Sequence, residues 1–112
     1  MNTHDKGKQL ELRSAEQLQE IFQENPPIIP TKASSGGSHN TEIGDLKSVI
    51  LFGEIKNDGN WFKLKVWQKL LNSIPFGSKK IPIYIQNHKI EGVMVCLTFA
   101  DFCRLLKMMK EK

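Results

Sequence analysis

A mixed α/β sandwich is the fold this sequence predicts, and three observations predict it. Apolar residues recur at helical spacing near the start, in the middle and at the end of the chain. Between these segments lie short aliphatic runs, some alternating and some continuous, that suit strands. The resulting order is helix, strands, helix, strands, helix, with no linker long enough to divide it. The 112 residues are 39% apolar and 25% charged, which is ordinary globular composition. That length supports one domain, residues 1–112, with one modest core.

The first helix is predicted from about Lys6 to Gln23, with residues 1–5 expected to be disordered. Leu10, Ala15, Leu18, Ile21 and Phe22 fall on one arc of its wheel, and Glu16, Gln17 and Glu20 fall elsewhere. "ENPP" stops it, because proline cannot continue a helix and restricts the residue before it. "IIPTKA" reads as a short strand that Pro30 confines to an edge or a bulge. "SSGGSHN" is small, polar and glycine-rich, so residues 33–41 are expected to form a mobile loop. "EIGDLKS" leads into the apolar strand "VILFGEIK", and the two are expected to pair as a hairpin. "NDGN" is expected to break that strand.

A second helix is predicted from about Trp61 to Ile74. Phe62, Val66, Trp67, Leu70, Leu71 and Ile74 form its apolar arc, opposite Lys65, Gln68, Lys69 and Asn72. Core packing is the expectation for Trp61 and Phe62 at its head. "KIPIYIQ" alternates as a strand, "HKIEG" turns, and "VMVCL" is a further strand. Thr98 can cap the last helix, since "TFAD" has the form of a capping box with Asp in the Glu position. Phe99, Phe102, Cys103, Leu105, Leu106 and Met109 make its apolar face. That face, with "VMVCL", is a candidate subunit interface or else closes the core.

Charge and cysteine usage narrow the function classes. Net charge is +4 and the pI is about 9.1, which favours an anionic partner. Cys96 and Cys103 sit in apolar patterns and read as reduced core thiols. His4, His39 and His88 are scattered without ligand spacing, so zinc is not supported. No apolar run approaches a membrane span, and "MNTHDKGKQLEL" lacks the apolar block of a secretory signal. The expected compartment is the cytoplasm, or that of the host if the chain is phage-encoded.

The chemistry concentrates around "VILFGEIK". Glu54 and Lys56 are two apart on a strand, so they project to one face. Asp45 lies nine residues before Glu54, a fitting distance for the neighbouring strand of a hairpin. Two adjacent carboxylates repel unless a cation neutralises them, and such oxygen ligands suit Mg²⁺, with Mn²⁺ as a substitute. A metal-bound water is a better nucleophile, and Lys56 can orient it or offset charge building on a phosphate. The competing reading is a surface Glu–Lys pair at a strand end, which is what an arbitrary Glu-x-Lys usually is. Glu11 shifts the balance, because it falls within the apolar arc of the first helix, where a carboxylate is costly unless paired. It either leans toward the same cation or complements the helix dipole near solvent.

A basic face accompanies these residues. From Gly59 to Ile90 there is no Asp or Glu, while Lys63, Lys65, Lys69, Lys79, Lys80 and Lys89 are all present. Lys65, Gln68 and Lys69 share one helix side and form a contiguous patch for tracking phosphates. Lys6, Lys8 and Arg13 add charge at the other end, and Lys32 flanks the glycine-rich loop. Nothing resembles a base-reading element, so recognition of backbone and shape is expected.

Asp45 followed by Glu54-x-Lys56 at the end of an apolar strand resembles the PD-(D/E)xK nuclease superfamily. The order "KGKQLE", "SSGG", "GDL", "GEIK" is most similar to the archaeal-type and phage Holliday-junction resolvases. The resemblance runs from about Lys6 to Gln68 and extends loosely to "LTFADFCRLLK". It implies a restriction-endonuclease-like mixed sheet flanked by helices, a homodimer, and Mg²⁺-dependent hydrolysis of phosphodiester bonds in branched DNA, in recombination and repair. By matching position it makes Glu11, Asp45 and Glu54 metal ligands, joined by the Ile55 carbonyl. It makes Lys56 the catalytic lysine, and Ser34 or Ser35 the loop serine near the scissile phosphate. Gly44 stands where the family pattern has proline, and Glu42 is a rival to Asp45 for the ligand role. The alternatives are another endonuclease or nickase of this fold acting on duplex DNA, and a non-catalytic basic nucleic-acid-binding module.

Overall fold

The computed structural model describes residues 3–31 and 44–111, with side chains from Gly7 onward. The predicted loop at 33–41, with Ser34, Ser35 and His39, lies outside the described residues, as do Lys32 and Glu42. Helix α1 (Thr3–Phe22) starts ahead of the predicted Lys6, so Thr3 to Asp5 are helical where the sequence predicts disorder. Strands β1 (Ile29–Pro30) and β2 (Leu46–Lys47) pair antiparallel in a small ladder. Strands β3 (Leu51–Gly59), β4 (Ile81–His88) and β5 (Gly92–Cys96) form a mixed sheet in the order β3-β4-β5. β3 and β4 run parallel, which requires a crossover, and helix α2 (Leu64–Ser73) supplies it. β5 turns back antiparallel to β4, and helix α3 (Phe99–Lys110) follows. The chain is thus an α/β fold with helices against a mixed three-stranded sheet.

Alternation along the sheet separates two cores. Leu51 and Ile55 of β3 and Ile81, Ile83 and Ile85 of β4 are buried on one face, against Leu10, Ala15 and Phe22 of α1. Leu105, Met108 and Met109 of α3 pack on the same cluster. On the other face Phe52 and Tyr84 meet Leu70 of α2, with Phe62, Val66, Trp67 and Ile74 around them. Each large apolar side chain so buried contributes roughly 1.5–3 kcal/mol. Thr98 caps α3 as its sequence predicts, its hydroxyl accepting the N–H of Asp101 at 3.1 Å.

Four details depart from the sequence reading. β2 pairs with β1 and not with β3. The reason is Ser48, whose hydroxyl accepts the N–H groups of Ile50 and Leu51 at 3.2 and 2.9 Å and bends the chain where a hairpin would need a tight turn. Asn57, Asp58 and Gly59 continue β3 where a break is expected, because a register shift after Lys56 absorbs them. Ile21 and Leu71 face solvent although they fall on the predicted apolar arcs. Phe99, Phe102 and Leu106 are exposed on α3, so only part of its apolar face closes the core.

A buried clasp fastens the end of α1. The Glu24 carboxylate accepts the Ser48 hydroxyl and the Val49 N–H, both at 2.7 Å. Gln19 spans the turn beyond the helix, donating to the Glu24 carbonyl and accepting the Ile28 N–H, each at 2.9 Å. Among the described residues no helix is long and apolar enough to cross a membrane.

Candidate active site

Glu54 and Lys56 are in register with Tyr84 and Gln86 of β4, so they project to the sheet face that α2 covers. Ile55 between them turns into the opposite core, as its alternation predicts. Lys56 Nζ lies 3.4 Å from Glu54 Oε1. The two charges therefore face each other, the arrangement of the competing surface-pair reading. A half-exposed pair of this kind contributes only about 0–1 kcal/mol, so stability does not explain its place.

Asp45 arrives by a different route. β3 is an edge of the sheet, and its Gly53 and Ile55 backbone groups point away from β4. Asp45 occupies that edge. Its N–H donates to the Gly53 carbonyl at 2.8 Å, and its Oδ2 accepts the Ile55 N–H at 2.8 Å. The Ile55 carbonyl, predicted as a ligand, points to the same edge as the Ile55 N–H. Gly44 makes the approach feasible. Its φ is +73°, and a Cβ there would lie 2.7 Å from the Gly53 carbonyl oxygen. Glycine is thus the residue this backbone requires at position 44.

Glu11 joins them from α1. Burial pushes its pKa up to about 7, and the charges of Asp45 and Glu54 push the same way, opposed by Lys8 one turn earlier. The structure therefore brings Glu11, Asp45, Glu54 and Lys56 into one neighbourhood. A carboxylate whose ionisation is opposed by burial and by two neighbouring carboxylates suits a hard cation in charge and donor type. Their present positions do not cradle one. Among the described residues no three His, Cys, Asp or Glu side chains are gathered closely enough to hold a metal. Glu54 Oε1 is turned to Lys56, and Asp45 Oδ2 accepts the Ile55 N–H.

A second polar network adjoins the site, and the sequence reading missed it. The Tyr84 hydroxyl donates to Gln86 Oε1 at 2.6 Å, and Gln86 Nε2 donates to Asp58 Oδ1 at 2.6 Å. Asp58 also accepts the Asn60 N–H at 3.1 Å and lies 3.9 Å from Lys63 Nζ. Tyr84 and Gln86 are completely buried. Burial raises the Tyr84 pKa. Burial also works against the charge on Asp58, but the Asn60 N–H, the Gln86 amide and Lys63 outweigh it, and its pKa is lowered. The signal was the alternation itself, since Asp58 continues Glu54 and Lys56, and Tyr84 and Gln86 are two apart in "YIQ". Reading "NDGN" as a break hid it.

The predicted phosphate contacts are divided. Lys65, Gln68 and Lys69 are exposed on α2, over the same sheet face as Glu54 and Lys56. Lys8 stands beside Glu11, and Arg13 is exposed on α1. Lys6 is within α1, with its side chain outside the described residues, and Lys32, Ser34 and Ser35 lie outside them entirely. No protein-family model, curated protein or solved structure is similar enough to this chain to count as a match.

Proposed function

We propose that the chain is a Mg²⁺-dependent DNA endonuclease of the restriction-endonuclease-like kind, selective for four-way junctions. The observation that carries this is that Glu11 lies near Asp45 and Glu54, with Lys56 beside Glu54, and that burial and those two charges push the Glu11 pKa up to about 7. Stability alone gives no reason to place three carboxylates together. Glu11, Asp45, Glu54 and the Ile55 carbonyl would hold the cation, which supplies charge neutralisation and a more acidic water. Lys56, released from Glu54, would donate to that water or to the phosphate oxygen that gains charge. Hydrolysis forms one bond from the water oxygen to phosphorus and breaks the bond to the leaving sugar oxygen. Lys65, Gln68, Lys69, Lys8 and Arg13 would contact phosphates on either side.

Cutting two strands symmetrically calls for two sites, hence a two-fold dimer. Edge strand β5 and helix α3 support one. Val93, Val95, Phe99, Phe102 and Leu106 are exposed there, Phe99 at 79%. These five side chains expose roughly 500 Å² per copy, so a two-fold pairing would bury about 1,000 Å² in total, near the size a specific interface needs.

The Glu54–Lys56 pair at 3.4 Å favours a second reading, a non-catalytic basic nucleic-acid-binding module in which the two form a surface pair. Cleavage assays with Mg²⁺ or Mn²⁺ separate the two. The enzyme should cut a four-way junction, and Asp45→Ala and Glu54→Ala should abolish cutting while binding persists. Equal cutting of linear duplex would redirect the reading to a general endonuclease or nickase. Equal behaviour of wild type and variants would leave the binding module.

A further inference from the structure

Trp61 is where the structure departs most from the expectation of core packing. It is 55% exposed, while its neighbour Phe62 turns inward and meets Tyr84 edge to face at 5.1 Å. The loop that carries Trp61 is fixed at several points. Asn60 is tied to Asp58, and the Lys63 N–H donates to the Tyr84 hydroxyl at 3.2 Å. The indole ring itself is braced by two rings at steep angles, Phe62 at 5.7 Å and His88 at 5.3 Å. His88 is held in turn, because its Nδ1 accepts the N–H groups of Ile90 and Glu91 at 3.3 and 3.1 Å. This is an aromatic ring in a rigid setting, half in water.

Its surroundings are cationic. Lys63 and Lys65 follow it in the chain, and both are exposed. Lys89 adjoins the same loop, its N–H donating to the Gly59 carbonyl at 3.1 Å. The nearest acid in sequence, Asp58, is engaged by Lys63, Asn60 and Gln86. Protein interfaces are depleted in lysine around their aromatic anchors, which weighs against a protein partner here. Aromatic side chains interleaved with lysines suit single-stranded nucleic acid, whose bases stack on the ring while its phosphates meet the cations.

We propose that Trp61 is a stacking platform for an unpaired nucleobase, on a strand whose phosphates follow Lys63, Lys65 and Lys89. The stacking role rests on the proposed function in taking the ligand to be nucleic acid, and its distance from the cut rests on that reading's placing the cut at Glu54. Gly59 pairs with His88 and Glu54 with Tyr84, so the two positions stand four β4 residues apart, roughly 13 Å along the sheet. The stacked base therefore lies a few nucleotides from the bond to be cut. Trp61 would report whether the DNA beside the cut is opened, as at a branch point or a gap, and not which base is there.

Binding measured in EDTA, where a metal-dependent enzyme cannot cut, tests this with three fluorescent probes. They are a continuous duplex, the same duplex with a single-stranded gap, and the gapped duplex with abasic sites in its unpaired stretch. Trp61→Ala should weaken binding to the gapped duplex at least about five-fold and Trp61→Phe less than about two-fold, with the continuous duplex changed by less than about two-fold. The abasic probe should bind wild type more weakly than the gapped one, and that difference should vanish in Trp61→Ala. Equal loss on every probe, or no loss on any, overturns the stacking role while leaving the nuclease reading standing. Loss of self-association in Trp61→Ala, seen by sedimentation, would assign Trp61 to contact between copies instead. Failure of wild type to bind any of the three DNAs would remove both proposals together.

Discussion

Asp45 reaches the site because its backbone and its carboxylate together replace a missing strand along two residues of β3. That arrangement depends on a neighbour with no side chain. Gly44→Ala would place a methyl group 2.7 Å from a carbonyl oxygen at a φ of +73°. The expected cost is about 2–4 kcal/mol, from left-handed strain plus a clash with backbone. Urea denaturation measures it, and on the proposed nuclease reading cleavage falls with it. Glu11 predicts a pH effect. Its folded pKa of about 7 lies above its ordinary value of 4.5, so between these the folded state binds more protons than the unfolded one. Its contribution is fully present below about 4.5 and lost as pH rises through 7. In chelator, wild type should lose about 1–2 kcal/mol more than Glu11→Gln between pH 5 and pH 8, allowing for solvent screening. Glu54-x-Lys56 and the odd placement of Glu11 were legible in the sequence. The role of Gly44 was not, because a close backbone approach leaves no mark on the periodicity of side chains.

At the scale of elements, periodicity located every helix and strand of the sheet, because each buries one face or stripe against another. Pairing was harder to read. Asp45 was expected in a hairpin with β3, yet β2 pairs with β1, a choice made by the Ser48 hydroxyl and the buried Glu24. Such side-chain to backbone bonds compete with strand pairing and have no spacing signature. The Tyr84–Gln86–Asp58 network links β4, the end of β3 and the loop into α2. Tyr84→Phe removes the donor to Gln86 and the acceptor for the Lys63 N–H in a buried setting. It should cost about 1–3 kcal/mol in thermal unfolding. Amide exchange at Lys63 should quicken more than exchange within β4, since the loop loses its tie and the strand does not.

For the whole molecule, two faces are unequal. The α2 side carries the basic patch over Glu54 and Lys56, and the β5–α3 side leaves its apolar residues uncovered. If that side joins two copies, Phe102→Asp should halve the mass seen in sedimentation equilibrium at micromolar protein. On the proposed reading, junction cleavage would then fall toward single-strand nicking, with folding intact because Phe102 is exposed already. The α1 clasp has a consequence at this scale. About 16 Å of helix separates Phe22, next to the Glu24–Ser48 fastening, from Glu11. A rigid rod pinned at one end acts as a lever, and a tilt of about 5° at the pin moves the far end by more than about 1 Å. Catalytic geometry is sensitive to displacements of that size. Ser48 and Glu24, buried and outside the proposed ligand set, would then set the aim of the Glu11 carboxylate.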